Sequence, residues 1–490
     1  MSIKKPTLDL LFNPKTVVIL EAKAKISFFI EGFKRQGFNL DNLYLISSSE
    51  DKIHDIKCYK SINHIPIDSI DLLILSVNRD LLLDTLNDFL EKKDVNFIHI
   101  FTAGTAEFDE KGIQIERKIR LILDKYPNTR AIGPNCMGLY NPKGKIAYYP
   151  SFPVETGNIG LVFQSGDLHS KMIKFSTTRY NLRFSKGVSI GNCVDIQFSE
   201  ILEYYNADDE IKLICVYFEG FSILHKKEGK RLLQVLKSMK KPVLFMRGGK
   251  TKRGQSAVLT HTGSLATSKN VWDAIYNQTP LIEVQSSIDE LIDYAYCFSS
   301  YLNRFVKLKK QIFYPKGKRA LVILWSGGFG ILATDMLNEL GLEMPIFGGQ
   351  ALEKLKGIYP IKIGSLSNPF DLPWIIHRKE FVELSKEAID DDIDLVIVET
   401  DAWSDMESER FKSYYNNLYK IKEYVESLDK IFVMVLHQYP SKSREILYNM
   451  LVKDNFLVYN SMEVTAKAFL KLYEFGKKLE KIKKNNKILS

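Results

Sequence analysis

KPVLFMRGGKTKRGQSAVLTHTGSLATS, residues 241–268, reads as a buried strand, a glycine-rich basic loop and the start of a helix. Residues 242–246 form a short apolar run closed by Arg247, Gly248 and Gly249, and the stretch LATSKNVWDAIYNQ after Gly263 has helical periodicity. The loop carries one histidine, His261. An imidazole between Thr260 and Thr262, followed by Gly263 at a helix mouth, presents a neutral nitrogen that can attack a phosphoryl or acyl group. N–H groups at the helix start suit the phosphate that would result. Lys250, Lys252 and Arg253 add positive charge to the same loop, as a phosphorylated substrate requires. Composition alone describes an ordinary solvated basic loop with one histidine, so the weight must come from the rest of the chain.

Outward from this unit the pattern repeats. Before it, TVVIL (16–20), LYLIS (43–47), DLLILSV (71–77), NFIHIFTAG (96–104) and AIGPN (131–135) alternate with helical stretches at 27–38, 81–92 and 112–126. Strands rich in Val, Ile and Leu, separated by helices, predict a parallel sheet covered on both faces, a Rossmann-like first domain over 1–150. A second series, NIGLVFQSG (158–166), RFSKGVSIGN (183–192), IKLICVYFEG (211–220), PVLFMRGG (242–249) and LIEVQS (281–286), predicts a flavodoxin-like domain over 155–305. Four of these strands end in glycine-containing turns, which let backbone approach a ligand. After the basic linker 303–318, ALVILW (320–325) enters the turn SGGFG, and DLVIVET (394–400) and IFVMVL (431–436) follow. This third series predicts a second flavodoxin-like domain over 316–480, a candidate distant duplicate of the one before it.

The composition sets limits on function. With 490 residues, three domains are expected. The contents of 45% hydrophobic and 26% charged residues are those of a soluble globular protein. No apolar run approaches the ~20 residues of a membrane span, and the start MSIKKPTLDLLFNP lacks a signal peptide's apolar region, so no membrane and a cytoplasmic location are expected. The net charge of +9 is spread along the chain, which fits an anionic ligand and does not suggest nucleic acid. Five cysteines without CxxC spacing indicate neither a disulfide framework nor a metal site.

Eight motifs in order name a family: FNPK (12–15), GPNCMGLYNP (133–142), GLVFQSG (160–166), SIGN (189–192), VYFEG (216–220), THTGSLA (260–266), SGGFG (326–330) and NPFDL (368–372). Together the set resembles the alpha subunit of the NDP-forming acyl-CoA synthetases, the ADP-forming acetate–CoA ligase group of the succinyl-CoA synthetase superfamily. The resemblance implies an α/β fold with an N-terminal Rossmann-like CoA-binding domain and two succinyl-CoA synthetase-like flavodoxin domains. It implies a reversible reaction in which acyl-CoA, phosphate and ADP give a carboxylic acid, CoA and ATP through an acyl phosphate and a phosphohistidine.

By position in its motif, His261 matches the phosphorylated histidine, and Glu219 the carboxylate that orients it. The chemistry agrees, because a carboxylate accepting one ring N–H fixes the imidazole tautomer. Gln164, Ser165, Gly166, Gly191 and Asn192 match the donors around the acyl phosphate, with Gly263 beside the histidine. Asn135 and Cys136 match positions beside the thioester end of CoA, Cys136 being equally readable as a small buried residue. Ala103 and Gly104 keep part of the family's SAGF turn, while His169 falls on a helix and reads as structural.

The sequence departs from the family at Glu21, Ala22 and Lys23, where a glycine-containing turn normally wraps the CoA diphosphate. A carboxylate there is unfavourable by shape and charge, and Lys23 and Lys25 are the compensating cations. Trp325 and Phe329 replace the Asn and Pro typical of the third domain. The three series leave no room for an ATP-grasp domain, so ATP/ADP and magnesium are expected on an ATP-grasp beta partner in a hetero-oligomer. The competing expectation is a noncatalytic CoA- or acyl-CoA-binding homologue with a scaffold or sensing role. A nicotinamide oxidoreductase lacks its fingerprint, since no G-x-G-x-x-G follows the first strand.

Overall fold

The structure, a computed structural model, describes residues 5–20, 23, 27–262, 268–285, 287–373, 375–389 and 392–489, without the side chains of 259–262 and 485–489. The chain divides into two compact units, Met1–Ala295 and Tyr296–Ser490.

Strands buried on both faces read as unbroken apolar runs, and Val17–Leu20 is wholly buried Val-Val-Ile-Leu. It lies inside the first sheet, whose order is Lys52–Ile53, Ile56–Tyr59, Leu43–Ile46, Val17–Leu20, Ser69–Leu75, Asp94–Ile100, Arg130–Ile132. Apart from the Lys52–Ile53 hairpin every pairing is parallel. Counted from Val17–Leu20, the parallel strands take the doubly wound order 3-2-1-4-5-6.

The second sheet, in the same unit, runs Ile282–Val284, Val243–Arg247, Leu213–Phe218, Thr156–Phe163, Phe184–Ser189, Gly138–Asn141, Ile146–Ala147. Its first five members are parallel, in the flavodoxin-like order 2-1-3-4-5 when read from Phe184–Ser189. The last two are antiparallel and come from the segment assigned by sequence to the first domain. They went unread because turn residues on both sides hide a four-residue run. In the second unit one parallel sheet runs Phe370–Asp371, Ala320–Leu324, Leu395–Thr400, Ile431–Leu436, Leu457–Tyr459, again 2-1-3-4-5.

The basic loop after Val243–Arg247 is shorter than its sequence suggests, because Lys252–Thr262 is helical. Thr251 Oγ1 accepts from Gly254 N at 3.0 Å, giving the helix a cap that the glycines obscured. Lys250 is no free cation: its Nζ donates to the carbonyls of Val284 and Gln285, each at 2.9 Å, and sits 3.3 Å from Glu283. His261 therefore lies at the end of one helix and not in the loop before another.

The two sheets of the first unit are joined by backbone. Gly133 N donates to Ile190 O at 3.0 Å, Asn192 N to Pro134 O at 3.0 Å and Val194 N to Gly133 O at 2.9 Å. Beside this seam Arg130 Nε donates to Asp195 Oδ2 at 2.7 Å and pairs with Glu200 at 3.0 Å, an ion network whose burial demands that every charge keep its partner. The helix Glu110–Lys125 packs close to the seam, capped by Asp109, which accepts from Gly112 N at 2.7 Å. A Cβ on Gly112 would stand 1.9 Å from the Thr105 carbonyl oxygen.

Alanine within a helix is favoured over glycine by ~1 kcal/mol. At Gly112 that gain must be outweighed by the backbone clash, so Gly112→Ala should lower stability by about 2 kcal/mol. Urea denaturation tests it; a variant as stable as the wild type would show that the approach to Thr105 is not a constraint.

Candidate functional site

Ligands in open α/β sheets sit beyond the carboxyl ends of the strands, where the strand order reverses. In the second sheet that point lies between Thr156–Phe163 and Leu213–Phe218, so the loops concerned begin at Gln164 and Glu219. Loops from the carboxyl ends of the first sheet reach the same place, and a cavity of about 580 Å³ lies among them. Ala103, Asn135 and Cys136 line it from one side, and Gln164, Ser165, Gly166, Gly191, Asn192 and Glu219 from the other.

Gln164 is the coupling between strand ends. Its Nε2 donates to the Gly220 carbonyl at 3.0 Å, while Oε1 accepts from the N–H groups of Glu219 and Gly220. Both ends of the amide are thus engaged with the next strand's turn, so the residue positions Glu219 and is not an unengaged donor for a ligand. Glu219 itself is only 5% exposed. Burial, followed by the Glu219 charge and its hydrogen bond, pushes the Tyr217 phenol up.

Ser165 caps the helix Gly166–Tyr180, its hydroxyl accepting from Leu168 N at 3.3 Å. A Cβ on Gly166 would lie 2.3 Å from Met137 Cγ, so any larger residue there must displace that side chain. Gly191 has φ +64°, and a Cβ there would meet the Pro134 carbonyl at 2.2 Å. The helix start and the Gly191 turn therefore present backbone to the cavity, which suits an anion.

Asn192 lines the cavity, yet its Nδ2 is held from beneath by Thr105 Oγ1 at 3.0 Å, Glu107 Oε2 at 2.6 Å and Glu116 Oε1 at 2.8 Å. The side-chain donor expected at the acyl phosphate is thus engaged elsewhere. Cys136 is buried, its Sγ 3.6 Å from the Ile100 carbonyl, and burial pushes its thiol up. Gly104 stands just outside the lining with φ +85°, its carbonyl taking Arg79 Nη1 at 2.8 Å. Lys23 is exposed and does not line the cavity. Lys25, Gly263 and the His261 side chain lie outside the described residues. His169 is fully buried against Tyr148 and away from the cavity.

Several lining residues escaped the sequence reading, among them Asn78, Arg79, Thr102, Met137 and Asp167. Arg79 follows the strand Ser69–Leu75, so its place at a carboxyl end was the available signal. Its guanidinium pairs with Asp109 at 2.9 Å and lies over the Phe108 ring. In the second unit Trp325 packs near Trp403 and Tyr414, and Phe329 stacks on His437. Among the described residues no group of three or more His, Cys, Asp or Glu could hold a metal ion, and no helix is long and apolar enough to cross a membrane.

Comparison with known proteins agrees with this geometry. Residues 156–298 match the model of the succinyl-CoA ligase like flavodoxin domain. The chain is 30% identical over 397 residues to acetate–CoA ligase [ADP-forming] II subunit alpha of Pyrococcus furiosus, covering 80% of this chain and 81% of that one. It is 32% identical over 366 residues to acetate–CoA ligase [ADP-forming] of Methanocaldococcus jannaschii, covering 73% of this chain but 48% of that one. The chain thus spans about half the length of such longer relatives. The fold is that of dinucleotide-forming acetyl-coenzyme A synthetase 1 of Ca. Korarchaeum cryptofilum, solved with phosphate and ADP, with TM-score 0.78, 21% identity and 98% of each chain covered. With a doubly wound sheet and a flavodoxin-like sheet meeting at one cavity in the first unit, and the succinyl-CoA ligase like flavodoxin domain over 156–298, the chain is of the succinyl-CoA ligase type. Within that class the chain belongs to the ADP-forming acetate–CoA ligase family, whose members are acid–thiol ligases.

Two measurements check the site's construction. Replacing Gln164 by Leu leaves three buried backbone groups without partners, at ~1–3 kcal/mol each, so Gln164→Leu should lose about 3 kcal/mol in urea denaturation; a loss below 1 would refute the coupling. His99 donates from Nε2 to the Cys136 carbonyl at 2.9 Å, and burial lowers its pKa from 6.5 to about 4. A depressed histidine contributes stability above its unfolded value that is lost as pH falls through the folded one. Melting temperature should therefore fall between pH 6.5 and 4 less steeply in His99→Gln than in the wild type; equal slopes would remove His99 as the cause.

Proposed function

We propose that this chain is the alpha subunit of an ADP-forming acyl-CoA synthetase, acting in the cytoplasm with an ATP-grasp beta partner that supplies the ATP/ADP and magnesium site. The observation that carries the reading is the single cavity on which Ala103, Asn135 and Cys136 converge with Gln164, Ser165, Gly166, Gly191, Asn192 and Glu219. Residues expected at the CoA side and at the acyl-phosphate side come from different sheets and meet at this cavity.

In the direction of ATP formation, a phosphate oxygen attacks the thioester carbonyl, the C–S bond breaks and CoA leaves as the thiolate, giving an acyl phosphate. Backbone N–H groups at the start of Gly166–Tyr180 and in the Gly191 turn face the phosphate, where fixed donors stabilise developing charge. A His261 nitrogen then attacks phosphorus, the P–O bond to the acyl group breaks and the carboxylate departs. Glu219, fixed by Gln164, accepts the other ring N–H and stabilises the cationic imidazole. The phosphohistidine passes its phosphoryl group to ADP on the partner.

Two further observations support His261 in this role. A Cβ on Gly248 would lie 3.6 Å from Glu219 Cγ and 3.7 Å from Val258 Cγ2, so Gly248 brings Val258, in the second half of the helix Lys252–Thr262, close to Glu219. Val258 precedes His261 by less than one helical turn. Lys23 and Lys25 remain candidates for the CoA phosphates, Gly104 for its backbone approach and Gly263 for the phosphate on His261.

The chain mixed with its ATP-grasp partner, ATP and magnesium should gain an acid-labile phosphate by intact mass, absent from His261→Ala. An active partner that leaves the wild type unlabelled would overturn the relay and leave a noncatalytic CoA- or acyl-CoA-binding homologue.

A further inference from the structure

Beneath the cavity, four side chains form a closed cluster whose hydrogens can be counted. Asn192 Nδ2 lies 2.6 Å from Glu107 Oε2 and 2.8 Å from Glu116 Oε1, and Thr105 Oγ1 lies 2.8 Å from each of the same two oxygens. Asparagine supplies two amide hydrogens and threonine one hydroxyl hydrogen. If both carboxylates were ionised, the amide would serve one oxygen of each and the hydroxyl could serve only one. The other Thr105 contact would be two oxygens at hydrogen-bond distance with no hydrogen between them. One further proton supplies that contact, while the longer approach of Asn192 Nδ2 to Thr105 Oγ1 at 3.0 Å shares one of the two amide hydrogens.

The two acids are not equivalent. Glu107 Oε1 accepts backbone N–H groups from Gly104 at 2.6 Å and Thr105 at 3.1 Å, donors that favour a charged carboxylate. Glu116 is 2% exposed and receives a single backbone donor, Ala106 N at 3.2 Å. Among the described residues neither acid lies in an ion pair. The titratable neighbours are Glu107, which disfavours a second charge, and the Cys193 thiol; Arg79 lies beyond Glu107, paired with Asp109.

We propose that Glu116 is a neutral, proton-bearing positioning residue that donates to Thr105, which in turn donates to Glu107, so that the cluster clamps Asn192 and ties the Gly191–Asn192 turn to the 103–107 loop. Burial, the largest influence, pushes the Glu116 carboxyl up, in agreement with that assignment. Glu116 touches no substrate and acts through Asn192 and Thr105. Keeping it neutral also leaves the cluster with one negative charge and not two beneath a cavity read as an anion site. The role in the reaction rests on the proposed function, but the proton itself does not.

Infrared difference spectroscopy of the full chain at neutral pH reads the proton without turnover. The wild type should show a protonated-carboxyl band that shifts in D2O and is lost in Glu116→Gln. The sign of the stability effect follows: a carboxyl raised in the folded state contributes stability at low pH that is lost as pH rises through its folded value, so Glu116→Gln should be the less alkali-sensitive protein. Should Glu116→Gln not fold, Thr105→Val serves instead and must shift the band by removing its acceptor. A spectrum that neither variant changes overturns the inference even in an active enzyme. A band lost in Glu116→Gln in a chain whose wild type is never phosphorylated overturns the proposed function and leaves the proton in place.

Discussion

The Gln164 amide at the reversal of the second sheet is the interaction on which the site depends. Thr156–Phe163 pairs on one side with Phe184–Ser189 and on the other with Leu213–Phe218, so the chain crosses over in opposite directions and opens a crevice at its carboxyl end. A crevice exposes the unpaired backbone of both strand ends. An amide offers donor and acceptor on separate atoms, and Gln164 uses both on the Glu219–Gly220 turn. A carboxylate would repel the Gly220 carbonyl, and a hydrocarbon would leave all three groups unsatisfied. Glu219 is therefore placed by the same group that closes the fold.

Most of this was legible because strand interiors and strand ends obey local rules. Runs such as Val-Leu-Phe-Met and Leu-Val-Ile-Val announce buried strands, and glycine turns at their ends mark where backbone meets ligand. What escaped was set by distance along the chain. Arg79 faces Asp109 and Gly104, and Asn192 meets Glu107 and Glu116, pairings that no local pattern encodes. Glu116 nonetheless left a trace. On Glu110–Lys125 the buried positions are Gly112, Ile115, Glu116, Ile119, Ile122 and Leu123, so an acid occupies the helix's apolar face. A charged residue on that face is the kind of exception that marks a built polar site. The helix Lys252–Thr262 was hidden for the opposite reason, because Gly254 and the flanking glycines outweighed Ala257, Val258 and Leu259 in a short window.

The second unit shows how little topology decides about chemistry. Its sheet has the same 2-1-3-4-5 order as the flavodoxin-like strands of the first unit, yet its carboxyl edge carries different groups. There Glu399, 5% exposed, lies 3.4 Å from His437, whose pKa its hydrogen bond raises, and the Phe329 ring stacks on that imidazole. Phe329 remains 46% exposed, with Ile331 and Leu332 more so. Trp325, by contrast, is half-buried against the core of that unit, beside the stacked rings of Trp403 and Tyr414. One of these rings lies against a core and the other is displayed at the surface.

Cys136 illustrates how burial governs selectivity. A thioester is open to exchange with any thiolate that reaches its carbonyl, and the nucleophile is always the deprotonated sulfur. Burial raises the Cys136 thiol, whose Sγ is directed to the Ile100 carbonyl, so at neutral pH almost none of it is ionised. A cavity proposed to hold CoA thioesters thus keeps a sulfur of its own in the wall without competing for the acyl group. Nor does that sulfur readily form a mixed disulfide with the departing thiol. The side chain is chemically mute, and its silence leaves a thioester's acyl carbon to nucleophiles other than the protein's own sulfur.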